Sequence, residues 1–164
     1  MKALFGLARC RSGNAAAEMA LMLPFLVVLM FGALEVGYYF YLEHQVVKGV
    51  RDGARFGARQ SFVSLNCDGS TIPTAVETAI KEVTRTGKVS GGTARVPGWV
   101  NADVTVSITC PDTPITTGIY AEEANAPQLN VTTTVAYASL FSGLGVIDST
   151  YTLSASQQAA VMGI

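Results

Sequence analysis

The side chains best able to carry chemistry in this chain of 164 residues are one histidine and three cysteines. A single histidine, His44, leaves a histidine-based metal cluster or proton relay without a second imidazole. No CxxC pair and no glycine-rich phosphate loop occurs in the sequence. The acids beyond the apolar segment are scattered over predicted loops and strand ends: Asp103, Asp112, Glu122, Glu123 and Asp148. We therefore expect no catalytic residue, metal site, cofactor or small-molecule substrate.

The cysteines differ in position. Cys10 lies in a basic N-terminal stretch, whereas Cys67 and Cys110 follow a long apolar segment. In an oxidising compartment the two later cysteines can form a disulfide, which would stabilise the fold by roughly 3–4 kcal/mol. The alternative is two unrelated thiols. We predict the bridge because both cysteines lie in the same predicted exported domain.

The elements that position these groups begin with the apolar segment. No charged residue occurs between Glu18 and Glu35, and the apolar run extends over residues 15–42. A bilayer core needs about 20 helical residues, so we predict a transmembrane helix over residues 14–42, in contact with lipid. Acids at the two ends are costly in hydrocarbon unless they lie at an interface or find partners. Pro24 removes a backbone donor and is expected to kink or loosen this helix.

The flanks of the apolar segment predict its orientation. Lys2, Arg9 and Arg11 precede it without any acid, which predicts a cytoplasmic N-terminus. Tyrosines 38, 39 and 41 at its other end are typical of an interfacial belt. A cleavable secretory signal has a shorter apolar stretch, and a buried helix of a soluble protein needs neither flank. The net charge of −1 gives no argument for nucleic acid.

A helical pattern continues over residues 43–60, beyond the predicted membrane. Gly49, Gly53 and Gly57 are four residues apart on one side, and each costs roughly 1 kcal/mol against alanine in a helix. Three in register indicate close approach of another backbone, as in small-xxx-small interfaces. The alternative is a weak, frayed helix.

A charged strip lies beside these glycines. It consists of Arg51, Asp52 and Arg55, in which Asp52 can pair with Arg55 at i, i+3. An exposed pair of this kind contributes about 0.3–0.5 kcal/mol. We interpret the strip mainly as a solvated face, with a partner contact as the alternative.

The remaining residues, 61–164, predict a small α+β head. Pro73 and Gly87 bracket a second helix over residues 74–85. Alternating apolar and polar residues predict three strands, over residues 102–110, 129–137 and 149–156, the last extending towards Val161. The predicted fold class is α+β: a long N-terminal helix packed on a small antiparallel sheet of about three strands, with a second short helix.

Two segments carry a family resemblance. The N-terminal one reads Gly-Asn-Ala-Ala-Ala-Glu-Met-Ala-Leu-Met-Leu-Pro-Phe from Gly13, then Leu-Glu-Val-Gly-Tyr and Val-Arg-Asp-Gly-Ala-Arg-Phe-Gly-Ala-Arg. The C-terminal one reads Tyr-Thr-Leu-Ser-Ala-Ser, followed by Ala-Val-Met. Both resemble the TadE-like pseudopilins of tight-adherence (Flp) pilus systems. The resemblance implies a minor pseudopilin of the bacterial inner membrane with a periplasmic head.

The same resemblance implies processing. Prepilins carry a glycine before the cut and a glutamate five residues after it, as Gly13 and Glu18 do here. A prepilin peptidase would cleave between Gly13 and Asn14 and remove residues 1–13 as a leader peptide. Met19 departs from the aromatic residue that Flp-type sites often carry after the glutamate. A new amino terminus from a neighbouring subunit would then pair with Glu18, and Glu35 is expected either to pair with a partner's basic group or to face interfacial water.

Three functions compete at this point. The first is a pseudopilin whose partners are the peptidase, other pilins and the pilus assembly machinery. The second is an unprocessed, membrane-anchored binding or scaffold protein that never enters a filament. The third is a membrane-tethered enzyme, which would require an acid or histidine cleft that the sequence does not indicate.

Overall fold

The computed structural model describes residues 12–67, 71–112, 115, 117–121, 125–142 and 150–163. Its elements are two helices, α1 (Ser12–Ala58) and α2 (Thr74–Thr86), and three strands, β1 (Val104–Thr109), β2 (Gln128–Ala136) and β3 (Thr152–Ala160). Two compact units divide within α1, one ending at Tyr38 and the other beginning at Tyr39. The α+β class is confirmed. Residues 1–11 of the basic leader, which include Cys10, lie outside the described residues, as do Glu122, Glu123 and Asp148.

Helix α1 is 47 residues long and remains helical across Pro24. It ends at Ala58, two residues before the predicted end. In its second part, the side chains that recur every four residues are buried: Leu42, Val46, Val50, Ala54 and Ala58. This row of buried apolar side chains is the stripe expected of a helix that covers a core.

Helix α2 has the start and stop signals that the sequence contains. Pro73 precedes its first residue, and Gly87 follows its last one with a left-handed φ of 77°. The Gly87 N–H donates to the Val83 carbonyl oxygen at 2.8 Å, which satisfies one of the free carbonyls at the helix end. Ile80, Val83 and Thr84 form its buried side.

The sheet is antiparallel in the order β1-β2-β3, so β2 is central. Val104 lies opposite Thr133, and Thr133 lies opposite Ala155. The first two strands fall within the predicted ranges or extend them by one residue. The third begins later than predicted and continues to Ala160, because the chain keeps pairing with β2 as far as Gln128.

The two faces of the sheet differ in chemistry. One buries Val104, Leu129, Val131, Val135 and Leu153, which are at most 3% exposed. Threonine, serine, asparagine and glutamine side chains cover most of the opposite face, where Asn130 Nδ2 donates to Thr109 Oγ1 at 2.6 Å. The alternation follows from the two-residue period of a strand with one covered face.

Cys67 and Cys110 form a disulfide, as expected from their shared position in the head. Their Cα atoms are 5.8 Å apart, and 43 positions separate them in the chain. The bridge therefore joins the loop that follows α1 to the end of β1.

Candidate functional site

The first half of α1 is an apolar surface. The helix is long and apolar enough to cross a membrane, and only 6% of its most apolar 18-residue window is buried. Exposed large apolar side chains include Leu21, Phe25, Val28 and Leu29, each at least 68% exposed. A soluble core helix would bury these groups, so their exposure fits a membrane anchor.

The acids of this half differ in exposure. Glu18 is exposed, whereas Glu35 is 3% exposed. Gly13 and Asn14, the predicted cleavage position, lie within the first turn of α1. The predicted tyrosine belt is mixed, because Tyr41 is exposed but Tyr39 packs edge-on against Tyr137, with ring centroids 5.2 Å apart.

The glycine row of α1 faces the head of the same chain. A Cβ at Gly49 would approach the Thr84 carbonyl oxygen and lie 2.8 Å from Trp99 Cη2. At Gly53 it would overlap Thr84 Oγ1, and at Gly57 it would overlap Leu129 and lie 3.0 Å from Ile80 Cδ1. Gly49 and Gly53 therefore bring α1 close to α2, and Gly57 makes room for the Leu129 and Ile80 side chains of the same chain.

The buried side chain of Trp99 packs beside the glycine row of α1. Its indole is 1% exposed, and Nε1 donates to Thr133 Oγ1 at 3.0 Å. Thr133 in turn donates to the Asp103 carbonyl oxygen at 2.8 Å. Because a buried indole N–H needs an acceptor, this chain of hydrogen bonds orients the ring between α1 and the sheet.

A polar cluster holds the loop after α2. Arg85 donates to Asn101 Oδ1 at 2.5 Å, to the Trp99 carbonyl oxygen at 2.8 Å and to Glu82 Oε1 at 2.9 Å. Asn101 Nδ2 also donates to Glu82 Oε1 at 2.9 Å. The hydrogen bond from Asn101, then that from Arg85, lower the pKa of Glu82 below its usual value.

The charged strip has a different pairing from the one predicted. Asp52 Oδ2 accepts from Arg95 Nη2 at 2.8 Å, and no ion pair joins Asp52 to Arg55 within the described parts of the chain. Arg95 is remote in sequence, so helical spacing alone could not reveal this partner. Arg51 and Arg55 remain exposed.

Arg51 and Arg55 belong to a longer row, which we call the basic face. It comprises five exposed residues: His44, Lys48, Arg51, Arg55 and, just past the helix end, Arg59. At about 100° per residue, the four that lie on the helix point within about 60° of one another around the axis and extend roughly 17 Å along it. The spacing of four, three, four and four residues is visible in the sequence, but the prediction covered only Arg51 and Arg55.

The basic face adjoins strand β3. Arg51 and Arg55 share a cleft of about 450 Å³ with Gln157, Gln158 and Ala159. Among the described residues, β3 pairs only with β2, so its other edge is open. Nothing in the sequence pattern indicates that this strand edge lies beside this helix face.

The described residues contain no group of three or more histidine, cysteine, aspartate or glutamate side chains that could hold a metal ion. The features that the fold does present are an apolar helix long enough for a membrane and a small disulfide-bonded α+β head. These two features fit a protein with a head domain and a single membrane helix.

Residues 13–55 match the model of the TadE-like protein family. The match confirms the N-terminal part of the resemblance. It begins at Gly13 and ends within α1, three residues before the helix does. The C-terminal segment of the resemblance lies outside the match. No curated protein and no solved structure gives a significant match. The matched residues lie in the apolar helix that fits a membrane anchor.

Proposed function

We propose that the chain is a minor pseudopilin that takes part in assembly of a Tad (Flp-type) pilus. It is made as a precursor, cleaved between Gly13 and Asn14 by a prepilin peptidase, and held in the inner membrane with its head in the periplasm. The observation that carries the proposal is the TadE-like match, which starts at Gly13 and covers the apolar part of α1. The proposed role is structural and not enzymatic.

The exposed apolar half of α1 supports lateral packing with other pilin-like helices. In hydrocarbon, Glu18 needs a partner, because a lone carboxylate there is strongly penalised. In this proposal the amino terminus created at Asn14 of a neighbouring subunit supplies that partner. The head stays free to contact other assembly proteins, and its disulfide suits an oxidising periplasm.

The decisive experiment is the intact mass and N-terminal sequence of the protein from cells with and without prepilin peptidase. We expect a mature chain that begins at Asn14 only when the peptidase is present. Gly13→Val should block this cleavage, whereas Gly32→Val, the same change at a site with nothing within 4 Å of an added Cβ, should not. Glu18→Ala should reduce processing or incorporation into pili.

A chain that keeps residues 1–13 under every condition would overturn the proposal. An unprocessed, permanently anchored binding or scaffold protein would then be the better account of the same helix and head. Pilus counts in a strain that lacks the protein provide the second readout, since a pseudopilin is expected to affect assembly.

A further inference from the structure

We infer that the open edge of β3, together with the basic face of α1, binds an extended acidic peptide segment that adds to the sheet as a fourth strand. This inference is independent of cleavage at Gly13 and of incorporation into a filament. It concerns a recognition surface of the head. The TadE-like match is confined to residues 13–55, so the β3 part of this surface lies outside it.

The hydrogen bonds of the sheet show which backbone groups are available. The Tyr137 N–H donates to the Tyr151 carbonyl oxygen, and the Val161 N–H donates to the Pro127 carbonyl oxygen, both at 2.9 Å. The register between these two bonds is continuous, with Gln128 opposite Ala160 and Ala136 opposite Thr152. Because an antiparallel ladder alternates, the odd-numbered residues of β3 bond to β2 and the even-numbered ones direct their N–H and C=O groups outward.

The outward residues are Thr152, Ser154, Ser156, Gln158 and Ala160. One of their carbonyl oxygens, that of Gln158, accepts a hydrogen bond from Gln157 Nε2 at 2.9 Å. This contact agrees with the alternation and shows that the outward carbonyl is accessible to a donor. A peptide strand that pairs here would replace the glutamine amide with a backbone N–H.

The basic face sets the chemistry of the partner. Residues of an added strand that lie opposite Ala155, Gln157 and Ala159 would point to the same side of the sheet as those residues. That side carries the cleft of Arg51 and Arg55. Alternate residues of a strand are about 6.8 Å apart, close to the roughly 6 Å rise between Arg51 and Arg55 on the helix.

Carboxylates at alternate positions therefore match the two guanidinium groups. No ion pair engages Lys48, Arg51, Arg55 or Arg59 within the described parts of the chain. The nearby carboxylate of Asp52 is taken by Arg95. The free charge on this side is positive, and complementary charge sets both partner choice and association rate.

A second copy of this chain fits less well. Pairing β3 with β3 would bring the basic faces of both copies towards the same shared edge, where like charges repel. An acidic strand from a different protein would pair with the outward backbone groups of β3 and also complement the positive charge of the basic face.

The test uses the full chain in detergent micelles and a fluorescent eight-residue peptide in which threonine and glutamate alternate. We expect saturable binding, together with slower amide exchange at Ser154, Ser156 and Gln158. The double variant Arg51→Glu/Arg55→Glu should weaken binding at least about tenfold, because close charge pairs are lost and repulsion is added. Lys88→Glu, a charge reversal at an exposed residue in the loop after α2, should leave it unchanged.

Backbone pairing is tested separately from charge. Ser156→Pro removes one outward N–H and should reduce binding, whereas Ser156→Ala keeps the N–H and should not. A peptide with N-methyl groups on one alternate set of amides should lose binding, and one methylated on the other set should keep it. Unchanged thermal unfolding of each variant ensures that lost binding is not lost folding.

Three outcomes would overturn the inference. Equal binding of a peptide with its four glutamates in one block, or of both N-methylated peptides, would show a nonspecific polyanion surface. If the peptide does not bind at low salt, the charges of the basic face would instead serve to prevent other strands from pairing with this edge. A concentration-dependent dimer lost in Ser156→Pro would make a second copy the occupant.

Discussion

At the scale of single residues, the missing side chain at Gly53 is the clearest requirement of the fold. An added Cβ would overlap Thr84 Oγ1 and lie 3.4 Å from the Ile80 carbonyl oxygen. Thr84 cannot turn away freely, because its hydroxyl donates to that same carbonyl oxygen at 2.8 Å. Any added volume at Gly53 must therefore disturb the packing of α1 on α2.

Gly53→Ala should lower the free energy of unfolding of the head by up to about 2 kcal/mol. Overpacking costs about 1–3 kcal/mol, which outweighs the roughly 1 kcal/mol that alanine gains in helix propensity. Urea unfolding in detergent, followed by Trp99 fluorescence, measures the change. Gly37→Ala, where nothing lies within 4 Å of the added Cβ, should leave the transition unchanged or raise it slightly through the gain in helix propensity. An equal effect at both positions would contradict the packing account.

The lowered pKa of Glu82 predicts that the stability of the fold depends on pH. The hydrogen bonds from Asn101 and Arg85 lower its folded-state pKa, so the unfolded chain binds the proton more readily. This contribution to stability is fully present above the ordinary glutamate pKa of about 4.3 and is lost as the pH falls towards the lowered value. Melting temperatures of the wild type and Glu82→Gln between about pH 3 and 7 test it. The variant should lose less stability on acidification; parallel curves would argue against the coupling.

At the scale of elements, α1 serves two environments with one continuous helix. Its first half exposes large apolar side chains, while its second half buries a row from Leu42 to Ala58 against the head. The glycine row adjoins that buried row and meets α2. The small residues thus let α2 and the sheet both pack on one short segment of α1.

The disulfide is the covalent link between elements. Replacing Cys67 and Cys110 by alanine should lower the free energy of unfolding by roughly 3–4 kcal/mol, because the open loop regains conformational freedom in the unfolded chain. Urea unfolding of the purified double variant, compared with that of the wild-type protein, measures this loss. Identical unfolding of oxidised and reduced wild-type protein would contradict it.

At the scale of the whole molecule, the chain combines an apolar helix surface with a head whose sheet is polar on one face. This division of surface chemistry fits a membrane helix joined to a water-exposed head. Leu29 and Val63 are both strongly exposed, at 68% and 87%, but lie in the apolar helix and the head respectively.

Leu29→Arg should therefore reduce the membrane-bound fraction, since an arginine at the centre of a membrane helix costs about 2.5–3.5 kcal/mol to insert. Val63→Arg, the same kind of change in the head, should leave that fraction intact. Carbonate extraction of membranes provides the measurement. Equal extraction of both variants would show that the apolar helix is not the anchor.

Most of the fold follows from patterns among neighbouring residues. The uncharged run after Glu18, the proline and glycine around α2 and the alternation in β1 and β2 are local properties of this kind. Helix and strand periods are set by the backbone within a few residues, so these elements could be predicted with small errors at their ends. The TadE-like signature is equally local and lies in one helix.

The contacts between residues that are distant in sequence were decided only by the tertiary structure. Gly53 meets Thr84, Asp52 pairs with Arg95, and Arg51 lies beside Gln157, although each pair is far apart in sequence. Such contacts depend on how α1, α2 and the sheet pack together, which no helical or strand period encodes. The sequence by itself determined an apolar helix and a small α+β head, whereas packing decided which side of that helix is filled and which side stays basic and open beside β3.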